Sequence, residues 1–391
     1  MSSLRLLDAD GTMSNVALVD AAEYTRPRSA LQSRVAYAAA HVVPIAWADN
    51  TPGRPADIDW ESTLAFRRHV YSWGLGVADA MDTAQRNMGL DAAATRELIS
   101  RSAEVAREEG GSVVVGVNTD HILDPQISLQ AVIDAYKEQL HFTEEQGASP
   151  VMMASRHLAR VAAGAEDYRR VYRAVLDSAT VPVVLHWLGT AFDPQLVAYF
   201  GADDWHTASG VLLEIIEENV DKVAGVKMSL LNAESEIAVR SKLPHGVRMF
   251  TGDDFNYVGL IGDSGDGHSD ALLGAFAAFA PVASAAIQAL DAGDATRYRT
   301  ILGPTEMLSR QIFAAPTFYY KTGVAFLSWL NGHQPAFQMI GGLHAARSLP
   351  HLSRVVELAN ASFALERPDL ARERWHGMLR LHGFDVGRTG A

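Results

Sequence analysis

The chain has 391 residues, of which 48% are hydrophobic and 20% charged, and a formal net charge of −13. That size accommodates one α/β barrel with appendages, and the acidic balance argues against nucleic acid or an anionic membrane as the main partner. With no cysteine, disulfides, thiolate catalysis and cysteine-based zinc sites are excluded. No run reaches the roughly 20 apolar residues of a membrane span. The N-terminus lacks the apolar stretch of a secretory signal, so the expected location is cytoplasmic.

In chain order, residues 4–18 alternate around Asp10-Gly11 as a β-hairpin does. A helix is expected over Ser29–Ala40. Short apolar strands then alternate with amphipathic helices. The strand candidates are His41–Trp47, Gly76–Met81, Ser112–Val117, Pro150–Ala154, Val181–Trp187, Val223–Met228, Val247–Thr251 and Gly267–Leu273. Helical patterns cover Asp59–Tyr71, Ala92–Glu109, Leu129–Glu145, Glu166–Asp177 and Ala208–Asn219. Eight such units over about 240 residues predict an α/β fold, a (β/α)8 TIM barrel. The tail reads as helical: Ala283–Ala292, Ala295–Ala314, Thr317–Leu330 and two helices after Pro350. The expected division is an N-terminal hairpin-and-helix extension (1–40), a barrel (41–295) and a C-terminal helical extension (296–391). Apolar positions there, among them Phe318, Val324, Phe326, Leu327 and Trp329, suit core packing or a partner subunit, and a homo-oligomer, dimer or tetramer, is expected.

In such barrels the chemistry sits at the C-terminal ends of the strands. On the expected strands those ends carry Asp49-Asn50, Asp82-Thr83, Asn118-Thr119-Asp120-His121, Ser155-Arg156-His157, His186-Trp187, Lys227, Gly252-Asp253-Asp254 and His268-Ser269-Asp270. Lys227 closes the apolar run Val223-Ala224-Gly225-Val226. An ammonium in that setting is either paired or has its pKa pulled down by desolvation, and a partly neutral lysine attacks carbonyl carbon to form a Schiff base.

Three of these segments, in this order, resemble the dihydrodipicolinate synthase and N-acetylneuraminate lyase family of Schiff-base aldolases. Val181-Pro182-Val183-Val184-Leu185-His186-Trp187 is similar to the family's fifth strand. Val223-Ala224-Gly225-Val226-Lys227 resembles its Gly-Ile-Lys strand, and Thr251-Gly252-Asp253-Asp254 its Ser-Gly-Asp-Asp turn. The resemblance spans roughly residues 41–330 and implies the barrel, a lyase activity in sugar or sugar-acid catabolism and Lys227 as the imine-forming residue. Two places depart from the pattern. The family's carboxylate-binding Gly-Thr-Thr-Gly-Glu loop is replaced by Met81-Asp82-Thr83-Ala84-Gln85, and its catalytic tyrosine after strand four by Ser155-Arg156-His157.

The expected substrate is therefore a small carbonyl compound, a keto-acid or keto-sugar, and the expected proton carrier His157 or His186. Asp82, Thr83, Asn118, Arg156, Asp254 and His268 are the candidate substrate-binding residues. The plainer alternatives are rim histidines bonded to backbone, a capping aspartate at 82 and a structural turn at Asp253-Asp254. A rival reading gathers Asp82, Asp120, His121, His186, Asp254 and His268 around Mn, Mg or Zn as a metal-dependent aldolase, isomerase or hydrolase. A non-catalytic ligand-binding barrel is the third. No P-loop, GxSxG elbow or dinucleotide fingerprint is present, so no organic cofactor is expected. The glycine-rich Gly259–Gly265 stretch is expected to be a flexible loop between strands seven and eight, placed to serve as a lid over the pocket.

Overall fold

The computed structural model describes residues 3–263 and 267–386. An antiparallel hairpin of β1 (Ser3–Leu7) and β2 (Met13–Ala17) comes first. Eight strands follow: β3 (Ala36–Ala39), β4 (Gly76–Asp79), β5 (Val113–Val117), β6 (Ser149–Met152), β7 (Val183–Leu188), β8 (Val223–Ser229), β9 (Arg248–Thr251) and β10 (Asp270–Leu273). Neighbours in sequence pair in parallel and β10 closes on β3, which makes the (β/α)8 barrel. Helices Trp60–Ser72, Ala92–Glu109, Leu129–Glu145, Ala165–Ser178, Trp205–Glu218 and Ala233–Arg240 alternate with the strands. Most begin where a side-chain oxygen satisfies a first-turn amide: Asp59 caps Ser62, Asp91 caps Ala94 and Ser128 caps Ala131.

One expected element is absent. Ser29–Ala40 is not helical; it is irregular up to the strand β3, and the expected first strand, His41–Trp47, lies beyond that strand's end. Alanines favour a helix in isolation, but Ala36, Ala38 and Ala39 are buried between β10 and β4, and tertiary pairing overrides propensity. The barrel therefore starts before residue 41, and Asp49 and Asn50 belong to a loop well past the strand end. Ala295–Ala314 is two helices, Ala295–Leu302 and Thr305–Ile312, interrupted at Gly303-Pro304. Proline removes an amide donor and clashes with the preceding turn. Of the glycine-rich stretch, Gly259–Ile261 ends a short helix, while Ser264 and Gly265 lie outside the described residues.

The hairpin is joined to the C-terminal helices rather than left exposed. Leu4, Leu6 and Leu7 are buried, the Leu7 amide donates to Ser353 Oγ at 2.7 Å and Trp375 Nε1 donates to the Arg5 carbonyl at 2.7 Å. Val324, Phe326 and Leu327 are wholly buried inside this one chain, so these three are core. Inside the barrel, Ala39, Ala78, Val114, Val151, Val184, Phe250 and Leu272 form the apolar filling.

One charged pair holds a helix to the sheet. Arg67 of helix Trp60–Ser72 and Asp79 of β4 are fully buried and bond bidentately at 2.8 and 2.9 Å. Arg67 also donates to the carbonyls of His41 and Thr63, so each charge is fully engaged. Removing one partner strands the other in a dry interior. Asp79→Ala is expected to cost about 3–5 kcal/mol in denaturant unfolding; a loss under about 1 kcal/mol would contradict that role for the pair.

Candidate active site

Strand pleating decides which side chains reach the barrel interior. In the register of β7 with β8, Val184 faces Gly225, His186 faces Lys227 and Leu188 faces Ser229, and Phe250 of β9 pairs with Lys227. Val184 and Phe250 are part of the interior filling, so His186, Lys227 and Ser229 continue the same inward row towards the C-terminal end. The backbone at Gly252 leaves room for this row. A Cβ there would sit 2.1 Å from Ser229 Oγ and 2.8 Å from Lys227 Cε.

Lys227 is 5% exposed, and among the described residues its ammonium makes no hydrogen bond and no ion pair within 4 Å. Burial lowers its pKa, opposed by the charges of Asp82 and Asp254. Asp254 is also buried; desolvation drives its carboxyl well above the usual range, against the amide of Ala275 donating to Oδ1 at 2.9 Å and the charge of Lys227. Burial thus disfavours the charged form of both groups, the Lys227 ammonium and the Asp254 carboxylate, while the charge of each supports the other's. His186 is driven well below its ordinary pKa by burial and then by the Lys227 charge, so it is a neutral imidazole, with Nε2 3.1 Å from Ser229 Oγ.

A cavity of about 250 Å³ opens at the C-terminal ends of β4 to β7. Asp82 connects it to the lysine, since it lines the cavity and acts electrostatically on Lys227. Asp82 Oδ2 accepts from the Tyr320 hydroxyl at 2.9 Å and lies 3.7 Å from Lys321 Nζ. Thr83 Oγ1 is 2.5 Å from the same hydroxyl. Burial, followed by Asp82, raises the Tyr320 pKa far enough to keep the phenol protonated. Lys321 has its pKa lowered by burial and supported by Asp82, and it donates to the Phe318 carbonyl at 3.3 Å.

Asn118, Arg156 and His157 line the cavity as well. Arg156 is paired with Asp193 at 2.6 Å. His157 Nδ1 is 2.8 Å from Thr119 Oγ1, and Nε2 is 3.1 Å from the Asp124 carbonyl. A carbonyl only accepts, so Nε2 carries the proton and Nδ1 accepts from Thr119; both nitrogens are occupied. Burial lowers the His157 pKa.

His268 does not join the site. It is exposed and precedes β10, which places it at the N-terminal face of the barrel, away from the strand ends that carry the site. Asp270 is at that face too, accepting from the Val35 amide and Arg248 at 2.7 Å each, so it closes the barrel there. Nor does the six-residue metal set converge. Among the described residues no three of Asp82, Asp120, His121, His186, Asp254 and His268 bring ligand atoms together. Asp120 is held bidentately by Arg86 at 2.7 and 2.8 Å, and His121 Nδ1 is bonded to Gln139. Asp253 is the structural half of its pair, accepting from the amides of Phe255 and Asn256.

The sequence matches, over residues 4–384, a family model described as Protein of unknown function (DUF993). The chain belongs to the DUF993 family. No curated protein matches it. In fold it is similar to dihydrodipicolinate synthase from Aquifex aeolicus, with TM-score 0.64 and 12% identity over 85% of this chain and 99% of that one. The synthase from Oceanobacillus iheyensis aligns at TM-score 0.63 and 14% identity, over 84% of this chain and 96% of that one. YagE from E. coli K12, a prophage protein of the dihydrodipicolinic acid synthase family solved with pyruvate, aligns at 0.63 and 14%, over 85% and 99%. The family resemblance carried by the three motifs thus holds at the level of fold.

This DUF993 protein builds its site partly from residues that motif reading does not reach: Tyr320, Lys321, Asp193, Ser229 and Arg86. One signal was available. Lys321 is the only lysine after Lys242, and it opens the apolar run Gly323–Leu330. A lone cation leading a buried helix calls for a partner.

Gly252→Ala would force Lys227 and Ser229 from their positions. It is expected to destabilise the fold by about 1–3 kcal/mol through overpacking and to lower the reactivity of Lys227 toward carbonyl reagents. Unchanged stability and reactivity would show that the inward row is not seated against Gly252.

Proposed function

We propose that this protein is a Schiff-base-forming lyase or aldolase that acts on a small keto-acid or keto-sugar, with Lys227 as the nucleophile. The observation that carries the reading is a buried, unpaired lysine in the barrel interior, within the electrostatic reach of a carboxyl group whose pKa burial drives well above the usual range. The shared fold of dihydrodipicolinate synthases and of pyruvate-bound YagE favours a 2-keto acid among carbonyl compounds.

In the proposed reaction the neutral amine of Lys227 attacks the carbonyl carbon. Asp254 gives its proton to the carbonyl oxygen, the attacking nitrogen passes one of its own protons to the same oxygen, and the oxygen leaves as water as the nitrogen lone pair closes the iminium. The iminium is the electron sink, so the step needs no metal. Asp82 takes the proton of a hydroxyl on the second carbon from the imine carbon; the bond between that carbinol carbon and the carbon next to the imine breaks, releasing an aldehyde and an enamine. Protonation of the enamine and addition of water return the ketone and free Lys227. Asp82 is preferred to His157 as the base because both nitrogens of His157 are occupied, whereas Asp82 lies in the cavity and faces the lysine's charge. Tyr320 and Thr83 orient that carboxylate, and Lys321 and Arg156 give a substrate carboxylate its counter-charge. We place the reaction in sugar or sugar-acid breakdown.

A second reading rests on one observation: Lys321, not Lys227, lines the cavity. Its nitrogen is engaged by Asp82 and the Phe318 carbonyl, which favours the charged, non-nucleophilic form. Exchange of the carbonyl oxygen separates the two lysines, because imine formation and hydrolysis replace that oxygen with one from water. With 18O-labelled pyruvate, mass spectrometry is expected to detect enzyme-dependent label loss that Lys227→Met reduces to the background rate and Lys321→Met leaves measurable. The rate should rise with pH as the Lys227 ammonium loses its proton, with a midpoint below the ordinary lysine value of 10.5. Exchange that survives Lys227→Met and vanishes in Lys321→Met would transfer the role.

A further inference from the structure

A second group of ionisable side chains lies on the outside of the barrel, where the C-terminal segment crosses helix Trp60–Ser72. His69, in the last turn of that helix, meets His333 and Glu366 there. Their ligand atoms all lie within 4.8 Å of one another. His333 Nε2 is 2.8 Å and His69 Nε2 3.4 Å from the same oxygen, Glu366 Oε1. A tetrahedral ion with bonds of about 2.0–2.1 Å holds its donors roughly 3.3 Å apart. Both histidine-to-glutamate distances lie within about half an ångström of that spacing, and all three residues offer ligand atoms inside 4.8 Å of one another.

The surroundings fix this geometry from several directions. The amide of Glu366 donates to Asn331 Oδ1 at 3.0 Å, and Asn331 Nδ2 donates to the Ala364 carbonyl at 2.9 Å, so a buried asparagine clamps the turn that presents the carboxylate. Gly332 precedes His333 with φ +87°, where a Cβ would lie 2.8 Å from Arg367 Nη1. The imidazoles lie 4.1 Å apart by ring centroid, and Phe66 flanks both. The side chains of His69, His333 and Glu366 are only 15%, 18% and 24% exposed, an unusual degree of burial for three ionisable groups with no part in the reaction proposed above.

We propose that His69, His333 and Glu366 bind one divalent transition-metal ion, Zn²⁺ by preference, which ties the barrel helix to the C-terminal segment. Two imidazoles and a carboxylate select zinc, nickel or cobalt over magnesium or calcium, which take oxygen ligands. Three protein donors leave a fourth position for water on the solvent side. The site is separate from Lys227, and its occupancy is a matter of stability.

The test uses the untagged full-length protein, stripped with chelator and titrated with ZnCl₂ by calorimetry and with CoCl₂ by visible absorption. One strong equivalent is expected, together with the cobalt absorption of a low-coordinate histidine site. Saturating Zn²⁺ should raise the thermal midpoint by about 2–5 °C. Glu366→Gln and His333→Asn should each weaken binding at least about 10-fold, while His382→Asn, at an exposed position elsewhere, leaves it unchanged. Where a substituted chain does not fold, diethyl pyrocarbonate labelling of the unchanged protein decides: one equivalent of Zn²⁺ should protect His69 and His333 and spare His382. Binding of equal strength in Glu366→Gln and His333→Asn, no binding at all, or labelling that Zn²⁺ does not alter would each overturn the proposal.

Discussion

The site depends on the desolvation of Lys227. A charged ammonium in the interior of a barrel costs several kcal/mol unless it is paired, and Lys227 has carboxyls near it but none in contact. Two responses offset the penalty. Burial lowers the Lys227 pKa and drives that of Asp254 upward, and the charges of Asp82 and Asp254 act back on the lysine to support its ammonium. One constraint, burial at the end of β8, thereby bears on both Lys227 and Asp254.

The rest of the barrel keeps that environment dry and in register. Phe250 packs the interior below the lysine, and glycine at 252 lets the inward row approach the backbone of the next strand. Arg67 and Asp79 fix the first barrel helix to β4, and Asp270 closes the opposite face through Val35 and Arg248. The C-terminal extension does more than cover the barrel. It supplies Tyr320 and Lys321, which set the orientation and counter-charge of Asp82, so the site is complete only when that extension is docked.

The barrel was legible because buried parallel strands read as short apolar runs between capped helices, and most of those runs fall within two residues of the observed strands. The first strand was not, since Val35–Ala40 has the composition of a helix and is a strand only through pairing with β10 and β4. Lys227, Asp82 and Asp254 could be named from sequence because each stands at or just past a strand's C-terminal end. His268 was misplaced because it stands at the start of the expected strand Gly267–Leu273, not at its C-terminal end, and the observed strand begins later still, at Asp270. Tyr320 and Lys321 escaped because they reach Asp82 across more than two hundred residues of sequence, a contact no local pattern encodes. Asp120, one of the candidate metal ligands, is paired with Arg86, and neither partner announces the other in the sequence.

The central claim is that Lys227 forms an imine with a small carbonyl compound. Its most direct test is borohydride reduction of the intact protein in the presence of pyruvate and a panel of keto-sugars, read by intact mass and peptide mapping. A single reduced adduct on the peptide containing Lys227, absent from Lys227→Met, is the expected result, and its mass identifies the preferred carbonyl partner. No adduct with any compound, or an adduct confined to Lys321, would contradict the account.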